Sequence, residues 1–212
     1  MSTYEYKALP DPRKYMRLLE LLPASEAEPA RLCAEVIDCL REEAPSYQPL
    51  SYTWGQQVAS CSIWLRDAGY FAWRSFPIRP NLESCLKQLR RKEARILWID
   101  AICINQADNV EKGHQVATMD LVYRSQSLVI WLGEWSENSD VALDLLQSFR
   151  DCLVANGHKE FAWSSPLSDQ VAKAGEHFGE NQTDETWAAF VDLINRPWFS
   201  RRWAVQEVVL SN

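Results

Sequence analysis

The chain has 212 residues, of which 47 % are hydrophobic and 24 % charged, and its net charge is −7. That is enough chain for one domain with a sizeable core, or one domain with a subdomain. The charge argues against a nucleic-acid binder, which shows a basic patch, since Arg90-Arg91-Lys92 and Arg201-Arg202 are only short basic runs. No apolar run reaches the roughly 18 residues of a membrane span and the N-terminus lacks the apolar core of a signal peptide, so a cytosolic or nuclear chain is expected, with the cytoplasm as its place of action.

Six cysteines fall without Cys-x-x-Cys spacing and three histidines are scattered, so no metal centre is expected. The cysteines read as buried, reduced thiols, as Cys103 in Ala-Ile-Cys-Ile illustrates.

In chain order, residues 1–12 read as extended, with Pro10 and Pro12 as breakers. Residues 13–22 are an apolar-rich element whose periodicity fits a strand or a helical turn, 26–29 a loop, and 31–39 a strand. Leu50–Thr53 is a strand ending at Trp54-Gly55, where glycine permits a sharp turn. Residues 60–65 and 69–78, separated by Asp67-Ala68-Gly69, carry a hairpin signal. Asn81 is placed to cap a helix whose Leu82, Cys85, Leu86 and Leu89 form one stripe.

Residues 94–99 are short and almost wholly apolar, as in strands buried on both faces. A polar loop from Asp100 to Glu111 follows, then an amphipathic helix with Val116, Met119, Val122 and Tyr123. Residues 127–132 are a second buried-strand candidate. Residues 138–154 are helical, with Ala142, Leu145, Leu146, Phe149 and Leu153 on one side, and 156–182 form an irregular insertion. Thr183 caps a helix with Trp187, Phe190, Val191 and Ile194 on one face; Pro197 stops it, and Ser200 caps a last helix carrying Trp203 and Glu207.

Alternating strands and helices predict an α/β protein with a crossover sheet. The organisation is a single domain over 1–212: an N-terminal extension (1–44), an α/β core (45–136), a helical insertion (137–195) and a motif helix (196–212). A doubly wound sheet needs strands beyond that last helix, so either the N-terminal strands complete the sheet or, the favoured reading, the chain is the N-terminal part of a longer protein.

Three segments stand out: Tyr47-Gln-Pro-Leu-Ser-Tyr-Thr-Trp-Gly55, Leu97-Trp-Ile-Asp-Ala-Ile-Cys-Ile-Asn-Gln106 and Arg196-Pro-Trp-Phe-Ser-Arg-Arg-Trp-Ala-Val-Gln-Glu207. In open α/β sheets ligands bind beyond the carboxyl ends of the strands, and these segments are expected to meet there. Phosphate-loop and nucleophile-elbow signatures are absent, and nothing in the spacing of Cys103 and His114 supports a Cys–His nucleophile. Plain structural roles stand beside ligand roles: Asp100 bonding backbone amides, Asn105 in a turn, Trp54 and Trp203 in the core, and Glu207 paired with Arg201 or Arg202.

Together the three segments resemble the HET (heterokaryon incompatibility) domain of filamentous fungi, whose second motif continues here through Gln115, Tyr123-Arg124 and Val129-Ile-Trp-Leu-Gly-Glu134. Pro49 departs from the family's usual small residue. The HET domain is in turn similar to TIR domains, flavodoxin-like signalling modules, some of which cleave NAD at the nicotinamide–ribose bond. The resemblance implies a TIR-like, mostly parallel sheet flanked by helices, with an added N-terminal β element or hairpin and a helical insertion. It implies a role in incompatibility and programmed cell death, with Glu207 as the catalytic residue and Ser51, Trp54, Gly55, Asp100, Asn105, Gln106, Arg201 and Trp203 binding the substrate. No cofactor is expected to be permanently bound. NAD or a related nucleotide is the expected substrate, self-association on activation the expected partnership, and nucleic acid and membrane are not expected partners. A non-enzymatic, self-associating signalling module is the alternative.

Overall fold

A computed structural model describes residues 2–124, 127–155, 179 and 182–211; most of the insertion expected at 156–182 lies outside them. The chain forms two compact units, residues 1–134 with 201–212, and residues 135–200.

The first unit is built on a seven-stranded mixed sheet in the order β5-β4-β2-β1-β6-β3-β7. Its strands are β1 (Tyr15–Leu21), β2 (Cys33–Leu40), β3 (Gln48–Tyr52), β4 (Cys61–Asp67), β5 (Arg74–Ile78), β6 (Arg95–Trp98) and β7 (Val129–Trp131). The ambiguous segment at 13–22 is a strand, and it lies mid-sheet between β2 and β6, antiparallel to both. Met16, Leu18, Leu19 and Leu21 are buried there, because a central strand with both faces covered needs no polar alternation. Burying one such side chain stabilises the fold by about 1.5–3 kcal/mol.

The sheet is less parallel than expected. β2–β4, β3–β6 and β3–β7 are parallel, whereas β1–β2, β1–β6 and β4–β5 are antiparallel. Residues 22–32 join β1 to β2 and residues 68–73 join β4 to β5, connections shorter than the crossover of about a dozen or more residues that a parallel neighbour needs. The stretch read as an extension therefore supplies the centre of the sheet.

Helix α1 (Pro80–Leu89) buries Leu82, Cys85 and Leu86 at the expected spacing. Asn81 does not cap it: Arg79 occupies the cap position and Pro80 the first turn, where a missing N–H costs nothing. The polar loop after β6 contains a helical turn, α2 (Asp100–Cys103), with Ile102 and Cys103 buried. The next helix is broken at Thr118 into α3 (Asn109–Ala117) and α4 (Met119–Tyr123). Val122 and Tyr123 face inward as expected, but α3 buries Glu111 and Gln115 and leaves Val116 exposed. Gln115 earns its burial by donating to the carbonyls of Pro12 and Tyr15 at 2.6 and 2.8 Å. β7 is a three-residue edge strand with Ile130 exposed, not a strand covered on both faces.

In the second unit α5 (Ser139–Ala155) packs on α6 (Asp184–Ile194), and Ala142, Leu145, Ala189 and Leu193 are buried. Thr183 caps α6 by accepting from the Thr186 amide. The inward residues of α6 differ from the expected stripe: Trp187, Val191 and Ile194 are exposed, as is Leu146 of α5. Arg196 ties the unit together by donating to the hydroxyls of Ser136 and Ser139 at 3.0 and 2.8 Å. Among the described residues no helix is long and apolar enough to cross a membrane.

Candidate functional site

The carboxyl ends of β3 and β6 and the last helix, α7 (Ala204–Leu210), converge within the first unit. β3 brings Ser51, fully buried, to the centre of this junction. From α7 comes Glu207, 2 % exposed, and from the turn before it Arg201. Arg201 forks onto Glu207, Nη1 donating to Oε2 and Nη2 to Oε1, both at 3.0 Å. The Ser51 hydroxyl closes the ring, donating to Oε2 of Glu207 and accepting from Nη1 of Arg201 at 2.9 Å. Tyr123, buried behind, also reaches Glu207; burial first and the Glu207 charge second push its phenol far above its ordinary pKa.

Next to this ring, Trp54 Nε1 donates to Oδ2 of Asp100 at 2.9 Å, and the Ala101 amide donates to Oδ1 at 2.7 Å. Burial raises Asp100 to about 6, against the pull of those two hydrogen bonds and of the Arg201 charge, while Glu207 pushes the same way as burial. Two carboxylates, one guanidinium and a serine thus share one poorly solvated place. Leaving one charge of such a pair without its partner costs about 3–5 kcal/mol.

A second layer fixes the loops. Gly55 has φ +75°, the left-handed region that glycine adopts without strain, and its carbonyl accepts from Arg79, whose guanidinium lies 5.5 Å from the Trp54 ring centre. Asn81 donates to the Thr53 carbonyl at 2.5 Å and accepts from Trp131 Nε1 at 2.9 Å, locking the Trp54 turn to α1 and β7. The α2 loop is held by Glu111, which accepts from the Asn105 amide at 2.8 Å and pairs with Arg17 of β1. Gln106 donates to the Asp100 carbonyl at 2.9 Å.

The expected site residues therefore divide. Ser51, Trp54, Asp100, Arg201 and Glu207 meet. Gly55 shapes the loop, and Gln106 braces it through the Asp100 carbonyl. Asn105 is a turn residue, its side-chain oxygen accepting from the Ala107 amide at 3.2 Å. Trp203 is placed otherwise than the spacing implied: it precedes α7 as its cap residue, is 61 % exposed, and does not share a buried face with Glu207. Ser200 does not cap the helix either; its hydroxyl donates to the Pro197 carbonyl. Burial raises the Cys103 thiol to about 12, which keeps it protonated and unreactive at neutral pH. Among the described residues no cluster of His, Cys, Asp and Glu is placed to hold a metal ion.

Tyr123, Arg79, Asn81, Arg17 and Glu111 escaped the sequence reading. Tyr123 stood inside the second motif and was counted only as a core residue. Arg17 and Glu111 carried no local signal, since their meeting is a product of the strand order.

A family model described as heterokaryon incompatibility protein (HET) matches residues 47–207, and the chain belongs to that family. It is also similar to heterokaryon incompatibility protein 6, OR allele, of Neurospora crassa, with 32 % identity over 232 residues, covering 99 % of this chain and 34 % of that protein. The chain thus spans about a third of the length of that relative. No solved structure matches the chain.

Proposed function

We propose that the chain acts in fungal heterokaryon incompatibility, the process its relative is named for, and that it triggers programmed cell death by cleaving NAD at the nicotinamide–ribose bond. The observation that carries this reading is the convergence of Ser51, Asp100, Arg201 and Glu207, drawn from three distant motifs, at the carboxyl ends of β3 and β6. The parallel trio β6-β3-β7, with the first strand of the three in the middle, supports a TIR-like comparison, because flavodoxin-like sheets begin in that order and bind ligands at that end.

The chemistry suits one carboxylate. When the bond from C1′ of the ribose to the pyridinium nitrogen breaks, its electron pair neutralises the ring and nicotinamide leaves uncharged. The demand falls on the positive ribose, which Glu207 stabilises until water adds to C1′ and releases a proton to solvent. Trp54 offers an aromatic face for the nicotinamide, and Arg201 a fork for the diphosphate. In this reading Arg201 must let go of Glu207 before the carboxylate meets the sugar.

One observation favours a second reading, a self-associating module without catalysis. Both oxygens of Glu207 are engaged by Arg201 and the residue is nearly water-free, which is what a structural ion pair would show. Incubating the purified chain with NAD, at high protein concentration as well as low, separates the two. Free nicotinamide lost in Glu207→Gln supports cleavage; no nicotinamide, with oligomers forming and Glu207→Gln still killing cells, supports the module.

A further inference from the structure

We infer that Arg201 is an oxyanion receptor occupied by an internal stand-in: Glu207 fills a two-oxygen site that a diphosphate-bearing ligand takes over when it binds. This rests on the cleavage reading for its biological meaning, though not for its test.

The fork of Arg201 presents two parallel N–H donors, a geometry that matches any group with two neighbouring anionic oxygens. Glu207 supplies such a pair, at 3.0 Å on each side. The three members of the ring differ in access. Ser51 is fully buried and Glu207 nearly so, whereas the Arg201 side chain is 21 % exposed. An incoming anion therefore meets the guanidinium first. A second guanidinium holds the loop beside the ring: Arg79 donates to the Gly55 carbonyl and lies 5.5 Å from the Trp54 ring centre. Through Trp54, which donates to Asp100, that second cation is linked to the site, and two cations suit a diphosphate better than a single small anion.

Displacement has a defined consequence. A Glu207 carboxylate stripped of Arg201 keeps the Ser51 hydroxyl as a donor and is turned loose beside the bound ligand. Binding and unmasking are then one event, and the carboxylate stays capped while the site is empty.

An internal competitor lowers the apparent affinity of the external one by the fraction of time the site is free. Removing the competitor's charge is therefore expected to tighten binding. The probe is inorganic pyrophosphate, titrated calorimetrically into the whole chain at fixed ionic strength. The expected result is that Glu207→Gln, which keeps the shape and can still accept from Arg201, binds pyrophosphate at least about tenfold more tightly than the wild type. Ser51→Ala, which loosens the ring without removing the charge, should tighten it several-fold, and Arg201→Gln should abolish binding. Equal or weaker binding by Glu207→Gln overturns the inference, as does wild-type affinity in Arg201→Gln. If melting shows that Glu207→Gln does not fold, Ser51→Ala decides by the same criterion. Nicotinamide release is measured on the same preparations. Cleavage without tightening sinks the stand-in and leaves the activity; tightening without cleavage sustains the receptor and removes the activity.

Discussion

Arg17 on β1 and Glu111 on α3 meet in a two-pronged ion pair, Nη1 to Oε1 at 2.5 Å and Nη2 to Oε2 at 3.0 Å, with the two side chains 1 % and 4 % exposed. The same guanidinium donates to the Lys7 carbonyl at 2.7 Å and lies 4.8 Å from the Tyr6 ring centre, and the same carboxylate holds the Asn105 amide. One contact thus joins the N-terminal segment, the middle strand and the second motif loop.

Breaking that pair from one side strands a buried charge. Arg17→Met or Glu111→Leu alone is expected to cost about 3–5 kcal/mol, and the double variant much less than the sum. Urea unfolding of all four proteins measures the coupling; strictly additive losses would show that the two groups do not depend on each other.

The acid Asp100 gives the site a pH signature. Its carboxyl titrates near 6 in the folded chain against an ordinary 3.8. Between those values the folded state holds a proton the unfolded state has released, so this group's contribution to stability falls as pH rises from 3.8 to 6 and stays lost above. Asp100→Asn has no such proton. The difference in unfolding free energy between wild type and variant should therefore change across this range and be flat above about pH 7. A difference that is constant from acid to neutral pH would refute the shifted carboxyl.

Gly55 tests the turn at the site's edge. A Cβ added there would meet only the Asn81 Cβ at 3.9 Å, an ordinary contact, so space is not the issue. The positive φ is: Gly55→Ala should cost about 1–2 kcal/mol from backbone strain. A loss under about 0.5 kcal/mol in chemical denaturation would mean that the turn relaxes freely.

The family model begins at residue 47, yet β1 and β2 lie before it. Deleting residues 1–46 removes both β1 and β2, the two strands between β6 and β4, and leaves Glu111 without Arg17. That truncated chain is expected to lack a cooperative melting transition and to be cut rapidly by protease. A sharp transition from residues 47–212 would contradict the central placement of β1.

Local patterns carried much of the fold. The β4–β5 hairpin was legible from its turn, and α1 from the stripe of Leu82, Cys85 and Leu86. The meeting of Ser51, Asp100 and Glu207 is legible because each lies in a distinctive motif, two of them at strand ends and one on the last helix. What failed did so for physical reasons. A reading of apolar periodicity turns α3 by its valines, whereas its buried positions are Glu111, paired with Arg17, and Gln115, whose side-chain nitrogen donates to backbone carbonyls. The four-residue spacing of Trp203 and Glu207 implied a shared face only if both were helical, and the helix starts at Ala204. The segment at 13–22 could be settled only by its neighbours, since a doubly covered strand and a buried helical turn look alike in sequence.

The strand order also has a consequence for synthesis. Among the strands of this sheet, the first to leave the ribosome is the middle one. β2 follows and pairs at once, but β6 is not made until Arg95–Trp98, so one edge of the newborn pair, with Leu19 and Leu21 awaiting Leu97 and Arg95, stays open through translation of everything between. That interval is when the nascent chain is most exposed to aggregation and to capture by chaperones.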